Sequence, residues 1–237
     1  MKISIVITYY NQPKVLEWVL GHIQTWYDDT LKAVEIIIVD DGSKNSPALP
    51  VVQYFKETKM GSSLLDMSVY KVTKDIPWNQ CGARNLGAAV SKYEWLLMLD
   101  VDHIFGAVEM DNILVGTKQT RTKRWFTFNR ESSATMQTFP PGKNIYLMTK
   151  KDYKRIGGYD EDLTGEYLQD RLFIHSAQKL LGMPVVHPDT FAFVKVDGCA
   201  RGLHRKSERN RQLIADKIAG KVPMSTDRLR FPWMREI

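Results

Sequence analysis

Leu96-Leu97-Met98-Leu99-Asp100-Val101-Asp102-His103 is an apolar run of strand type that stops abruptly at two carboxylates spaced i, i+2 and an imidazole. A strand with this ending delivers its acids to the mouth of a sheet, where a divalent cation can join them to a phosphorylated ligand. Glu35-Ile36-Ile37-Ile38-Val39-Asp40-Asp41-Gly42-Ser43 ends the same way. Two hydrophobic strands bringing acidic pairs to one rim point to a nucleotide-diphosphate site in an α/β protein.

Working outward, residues 3–8 read as a first strand with Tyr9-Tyr10-Asn11-Gln12-Pro13 as its exit loop. Pro13 suits a first helical turn, and Val15, Trp18, Val19, His22, Ile23 and Trp26 then recur at helical spacing. Strands are expected at 34–39, 67–72 and 95–99, with helices around 50–59 and 82–90 between them. Strands alternating with helices predict a mostly parallel sheet whose ligands bind beyond the carboxyl ends of its strands. After Phe105 the pattern changes to short helices mixed with strands at 124–129, 144–148 and 190–196, an α+β half that completes a cleft. No internal repeat or low-complexity linker separates the halves, so residues 1–105 and 106–237 are expected to share one continuous core.

At 237 residues the chain can bury a full core, and 43% apolar with 25% charged residues is the composition of a soluble globular protein. No stretch approaches the ~20 apolar residues of a bilayer span. Residues 3–8 run into a turn without the cleavage site of a signal peptide. Cys81 and Cys199 are far apart, which speaks against a disulfide framework and fits a reducing cytoplasm. From Arg201 onward ten Lys/Arg face four Asp/Glu, enough to account for the net charge of +6. Lys118, Arg121, Lys123, Arg124 and Arg130 form a second basic cluster. Such charge is either solvated surface or a match for an anionic donor, an anionic acceptor or a membrane surface bearing a lipid-linked one, touched peripherally. No recognisable module supports nucleic acid binding.

Taken singly, each motif has a plainer reading. Asp40-Asp41-Gly42-Ser43 is also ordinary turn chemistry, although a carboxylate there can accept the imide N–H of uracil or thymine. In Asn79-Gln80-Cys81-Gly82-Ala83-Arg84-Asn85-Leu86-Gly87, the small residues let a helix approach the sheet. Arg84, alone on a small and apolar helix, needs an anionic partner, either an acidic site residue or a phosphate. Asp100 and Asp102 suit a hard cation such as Mg²⁺ or Mn²⁺.

Together, Ile7-Thr8-Tyr9-Tyr10-Asn11, Val39-Asp40-Asp41-Gly42-Ser43, Ala83-Arg84-Asn85-Leu86-Gly87 and Leu99-Asp100-Val101-Asp102 resemble the family 2 glycosyltransferases of GT-A fold. Arg155-Ile156-Gly157-Gly158-Tyr159-Asp160-Glu161 resembles that family's Gly-Gly-Phe-Asp-Glu segment beside the acceptor site, so the likeness spans nearly the whole chain. It implies a GT-A nucleotide-diphospho-sugar transferase fold in which Thr8 and Tyr10 contact the nucleoside and Asp41, with Asp40 beside it, contacts the base. Arg84 is then placed near the diphosphate or its acidic neighbours, Asp100 faces the ribose and Asp102 ligates Mn²⁺ or Mg²⁺. His204 and His103 are further candidates for the metal, while His175 and His187 read as structural.

For the catalytic base the family shows Glu-Asp before an apolar helix, where this chain has Gln169-Asp170. Register favours Asp170, with Glu166 in reserve; either could also be an acid favoured by a helix N-terminus. The implied reaction is a metal-dependent, inverting sugar transfer from a nucleotide-diphosphate donor, UDP by default, to a hydroxyl on a glycan, a lipid-linked sugar or a protein. dTDP meets the same contact, and GDP stays open. The basic residues of 201–211 are expected to fold over the diphosphate. Two other readings remain: a degenerate module of the same fold that binds a nucleotide or anionic partner without catalysis, and a sugar nucleotidyltransferase. The latter would carry a Gly-rich loop after strand one, where this chain has Thr8-Tyr9-Tyr10-Asn11-Gln12-Pro13. Trp78, Trp125 and Trp233 could stack on sugar rings or pack in the core.

Overall fold

Strand β1 (Ile3–Tyr9) is buried along its whole length, as is β2 (Val34–Asp40). Strands apolar on both sides must be covered on both faces, the arrangement of a parallel sheet between helical layers. The computed structural model describes residues 2–58, 65–119, 125–195 and 205–237. Along the first part of the chain, α1 (Pro13–Ile23) and α2 (Asp28–Lys32) separate β1 from β2, and α3 (Ala48–Thr58) leads to β3 (Asp66–Val72). Then α4 (Gln80–Val90) leads to β4 (Trp95–Asp100), β5 (His103–Ile104) and α5 (Ala107–Gln119). The remainder comprises β6 (Phe126–Ser132), β7 (Thr138–Phe139), β8 (Tyr146–Thr149), α6 (Lys150–Ile156), a 3-10 turn at Glu161–Leu163, α7 (Gln169–Leu181), β9 (Val185–Val194), α8 (Glu208–Ile218) and β10 (Trp233–Arg235).

Among the described residues these strands form one sheet in the order β10-β3-β2-β1-β4-β8-β6-β9-β5, with β7 against β6. Pairing is parallel from β3 to β4 and antiparallel from β4 to β8 and from β8 to β6. The chain moves outward from β1 to β3, then returns through α4 to place β4 on the other side of β1. That reversal is the switch point at which open α/β sheets bind ligands. Register sets Thr8 beside Asp100 and Tyr9 beside Asp40, so the rim acids of two strands flank the exit of β1.

Alternate residues feed two cores. Ile3, Ile5, Ile7, Ile36, Ile38, Leu97 and Leu99 pack with α1, α3 and α5, whereas Val6, Ile37, Val39, Leu96 and Met98 face α4, α6, α7 and α8. The small residues of α4 serve the close approach expected of them: a Cβ on Gly87 would overlap Cγ1 of Val6.

Several boundaries differ from the sequence reading. The first helix stops at Ile23, and Trp26 leaves it to donate its indole N–H to the carbonyl of Phe105 (2.9 Å). The last long strand begins at Val185 rather than 190. The C-terminal β10, which has no clear strand signal, returns to pair antiparallel with β3. Among the described residues no helix is long and apolar enough to cross a membrane.

Gly87→Val should therefore lower stability by about 2–3 kcal/mol through overpacking of β1. Urea denaturation checks this; an unchanged midpoint would mean that α4 does not rest on β1 so closely.

Candidate active site

The exits of β1 and β2 are knitted together before they present any side chain outward. Asn11, at φ 49°, donates its backbone N–H to Ser43 Oγ (2.9 Å), and its side-chain oxygen accepts from the N–H groups of Asn45 (3.2 Å) and Ser46 (3.0 Å). Asp40 spends both oxygens on the same loop, accepting from Ser43 N–H and from Ala48 N–H at the start of α3, each at 2.8 Å. It is fully buried and does not line the cavity beyond the strand ends, so it shapes the loop instead of touching a base. Asp41 does face that cavity and accepts from the Asn79 amide (2.9 Å). Burial pushes its carboxyl well above the ordinary range, and the Asn79 hydrogen bond opposes the shift. Gly42 has φ +79°, and a Cβ there would come within 2.9 Å of the Asp75 backbone, so the turn that aims Asp41 requires glycine.

The cavity measures about 580 Å³, within the range of small-molecule sites. Thr8, Tyr10, Asp41, Asp75, Trp78, Gln80, Asp100, Asp102, His103, Arg130, Lys143, Asn144, Tyr167 and Arg205 contribute to its wall. Tyr10 donates to Asp75 (3.3 Å). Trp78 and Tyr167 meet with ring centroids 5.4 Å apart, and the Arg205 guanidinium lies 5.2 Å from the Tyr167 ring. Of the three tryptophans only Trp78 lines this cavity; Trp125 is core, its indole bonded to the Gly182 carbonyl, and Trp233 lies on the outer strand near Tyr70.

Arg84 finds its anion within the protein. Its side chain has no exposure and pairs with Asp100 at 2.5 Å, while a second nitrogen donates to the Asn144 carbonyl (3.2 Å) and the Tyr159 hydroxyl (3.0 Å). Arg84 does not line the cavity; of the two partners expected for it, a phosphate or an acidic site residue, it has the acid. Asp100 also accepts from Gln80 (2.8 Å) and Asn144 (2.7 Å). A carboxylate has about four lone-pair directions, so three donors leave room for one more partner.

Asp100, Asp102 and His103 bring their ligand atoms within 4.8 Å of one another. His103 is buried; its Nδ1 lies 2.5 Å from Asp102 Oδ1, and its Nε2 has no hydrogen-bond partner among the described residues. Two carboxylates and an imidazole fit a divalent cation of the manganese or magnesium type, and the orphaned nitrogen supplies the physical reason to expect one. His204 and Cys199 lie outside the described residues, as do Arg121, Lys123, Arg124 and the Lys118 side chain.

Behind the cavity, Gln169 and Asp170 open α7. The Gln169 side chain is buried. Its amide N–H₂ is shared among the carbonyls of Trp78, Leu163 (3.1 Å) and Glu166 (3.1 Å), and its oxygen accepts from Cys81 N–H (2.9 Å). One side chain thus ties the N-terminus of α4, the Trp78 turn and the entry to α7, where Trp78 and Leu168 hold positive φ of 48° and 81°. The departure from a Glu-Asp pair now has a reason, since a carboxylate could not donate to those carbonyls. Asp170 is buried, and its Oδ1 has no partner among the described residues. Burial raises its pKa to about 6, which Arg84 and Lys143 oppose and Asp100 reinforces. Glu166 accepts from Asn210 N–H at the start of α8 (3.2 Å); neither it nor Asp170 is among the residues that line the cavity, so what separates them is that hydrogen bond and the unpartnered Oδ1 of Asp170.

The Gly157-Gly158-Tyr159-Asp160-Glu161 segment organises what surrounds this acid. The Tyr159 ring stacks on Phe173 of α7 at 4.3 Å, and Glu161 accepts from Asn85 and the backbone N–H groups of Leu229 and Arg230. Asp160 and Asp162 share the buried ammonium of Lys217.

Gln80, Asn144, Asp75 and Lys143 are site residues that the sequence reading passed over. Gln80 lies four residues before Arg84 on one helix, a spacing that puts both on one face. Asn144 had no such signal, because antiparallel pairing of β8 with β4 is what brings it to Asp100.

A sheet with a parallel centre and acids converging at its switch point defines an open α/β fold with its cavity where such sheets bind ligands. Residues 4–107 match the model of Glycosyl transferase family 2. Chondroitin synthase of Escherichia coli is 36% identical over 103 residues, covering 42% of this chain and 13% of that protein. Hyaluronan synthase of Pasteurella multocida is 32% identical over 100 residues, covering 42% of this chain and 9% of that one. The chain therefore spans a small part of these relatives' lengths. Among solved structures, S. aureus TarS 1-349 in complex with UDP-GlcNAc superposes with a TM-score of 0.72 at 14% identity, covering 95% of this chain and 68% of that one. The mannosyltransferase PcManGT from Pyrobaculum calidifontis, in complex with GDP-Man and Mn²⁺, gives 0.65 at 15% identity, covering 94% and 66%. Residues 4–107 thus carry the match to family 2 glycosyltransferases, and the fold is of GT-A type.

Gln169→Glu should cost at least about 3 kcal/mol, because it turns a buried donor into an acceptor facing three carbonyls. Guanidinium denaturation of both proteins tests this; a loss below about 0.5 kcal/mol, the scatter of neutral surface changes, would dismiss the knot.

Proposed function

We propose that this chain transfers a sugar from a nucleotide-diphosphate donor, preferentially a UDP-sugar, to a hydroxyl of a glycan or glycoconjugate with inversion. Donor binding falls to residues 1–105 and the acceptor side to 106–237. The observation that carries this reading is the arrangement of one cavity at the switch point. Asp41 and the Asp100–Asp102–His103 group line it, and the buried Asp170 lies within electrostatic reach of Asp100. TarS with UDP-GlcNAc and PcManGT with GDP-Man share the fold, which supports a nucleotide-sugar donor.

In this reading Thr8 and Tyr10 flank the nucleoside, and the imide N–H of uracil joins the Asn79 amide as a second donor to Asp41. That extra hydrogen bond would draw the Asp41 carboxyl back toward its ionised form. Asp102 and His103, with the remaining lone pair of Asp100, would hold Mn²⁺ or Mg²⁺, which when bound supplies positive charge beside the diphosphate. Arg84 neutralises Asp100 from behind and keeps it aimed. Asp170 is the general base: it takes the proton of the acceptor hydroxyl as that oxygen bonds to the anomeric carbon. The bond from that carbon to the diphosphate breaks in the same displacement, and the nucleoside diphosphate leaves with the electron pair. Retention of an unpartnered buried carboxylate argues against a degenerate binding module, in which nothing would maintain its cost.

Thermal-shift screening of nucleotide sugars with Mn²⁺ tests donor binding, since a ligand at a hundred times its Kd stabilises by about 2.7 kcal/mol. UDP-sugars should raise the midpoint and EDTA should cancel the rise; no response to any nucleotide sugar would overturn the proposal.

Asp170→Asn should abolish transfer and leave donor affinity nearly unchanged. The base works when deprotonated, so kcat/KM should rise with pH through about 6 and then level off. Because the folded pKa is raised, the protonated form is favoured by folding. Its stabilisation is complete below the unfolded value and is lost as pH climbs through about 6. At pH above 7 the Asn variant should therefore be more stable, by about 3 kcal/mol, and melt several degrees higher. An Asn variant that is less stable, or that loses donor binding, would remove Asp170 from this role.

A further inference from the structure

Three cationic side chains line the cavity: Arg130, Lys143 and Arg205. None lies within 4.0 Å of a carboxylate among the described residues, whereas Arg84 just behind them is closely paired. Asp41, Asp75, Asp100 and Asp102 line the same cavity without pairing to these three side chains, so the three cations are available to an anionic ligand.

Arg130 is seated before any ligand arrives. Its Nε donates to the Pro140 carbonyl (3.0 Å), and its guanidinium lies 5.8 Å from the Phe139 ring. Its stem rests on Gly142, where an added Cβ would come within 3.1 Å of Cδ. Fixing the stem and Nε leaves the terminal nitrogens as a preset fork for a planar or tetrahedral oxyanion. Lys143 is the next residue along this segment and is exposed, yet its charge acts on Asp170. Asn144, next again, holds Asp100. Residues 140–144 therefore join the Arg130 fork, the Lys143 ammonium and the Asn144 amide that holds Asp100. The donor's diphosphate has its own partner in the cation expected at Asp102 and His103, so these two side chains are left to face the other substrate.

Resting on the transferase reading above, we infer that the acceptor is an anionic glycan. The sugar unit offered to Asp170 carries a carboxylate or phosphate that Arg130 and Lys143 bind. Both groups satisfy a guanidinium fork with an ammonium beside it, and the two sources are separated by experiment.

Equilibrium binding of hexagalacturonate, poly(glycerol phosphate) and neutral maltohexaose is measured with the full chain in saturating UDP and Mn²⁺, which fills the diphosphate positions. At least one polyanion should bind about tenfold or more tightly than maltohexaose, and the preferred one identifies carboxylate or phosphate. Arg130→Gln and Lys143→Gln should each weaken that polyanion severalfold, erasing most of its advantage over maltohexaose, and added salt should do the same. Lys143→Glu should reverse the preference. Equal affinity for charged and neutral glycans would overturn the inference. So would variants that weaken UDP as much as the polyanion, since the cations would then serve the diphosphate. Failure of UDP itself to bind would instead sink the donor reading and this inference with it, which keeps the two failures apart.

Discussion

A guanidinium with no solvent exposure is costly to bury, by several kcal/mol after relaxation, and it stays buried only where its charge is met. Arg84 meets that condition with one carboxylate, one carbonyl and one phenol, contributed by β4, the segment before β8, and the turn after α6. Helix α4 is pressed on β1 by the absence of a side chain at Gly87, so Arg84 cannot swing away. The same pairing fixes the direction of Asp100. Through Asp100 the positions of Gln80, Asn144 and the neighbouring Asp102–His103 pair are set as well. Removing the arginine would leave a half-buried carboxylate with two neutral donors, and the rim would lose its shared reference point.

Gln169 plays the corresponding part on the other side of the cavity. Neutral, buried and bonded to four backbone groups, it holds two residues in left-handed backbone conformations that non-glycine side chains rarely adopt. One of them, Trp78, lines the cavity; the other, Leu168, precedes the helix that opens with Gln169 and Asp170. Strain at the entry to α7 and at the aromatic wall is thus stabilised by one amide. The raised pKa of Asp170 belongs to the same design, because a carboxylate held dry and unpartnered trades stability for proton affinity near neutrality.

Much of this was legible from residue order. The alternation of buried strands with helices, the acids closing β2 and β4, and the small residues of α4 all have short-range signatures, and they recur at the rim as read. The second half was less legible. Its strands pair antiparallel or at a distance, and β10 joins β3 from the far end of the chain with no hydrophobic period to announce it. Asp40 shows the limit of a motif: it sits where the family pattern suggests a ligand contact and is spent inside the protein, whereas Arg84 takes the acidic partner that was one of its two expected ones. Whether an acid faces outward depends on its place on the strand end and on the donors near it: Asp40, the last residue of β2, meets two backbone N–H groups, while Asp41, just beyond it, meets the Asn79 amide at the cavity.

The sequence by itself determined the α/β class, the parallel strands and the residues that close them, because burial on two faces and turn chemistry are local properties of the chain. It also carried the likeness to family 2 glycosyltransferases through motifs in order. Only the tertiary structure decided which of those residues share a cavity, why a glutamine precedes Asp170, and that Arg130 and Lys143 line that cavity together with Asp41, Asp100 and Asp102. Those outcomes depend on strand register and on contacts between residues far apart in the chain, and no local pattern encodes them.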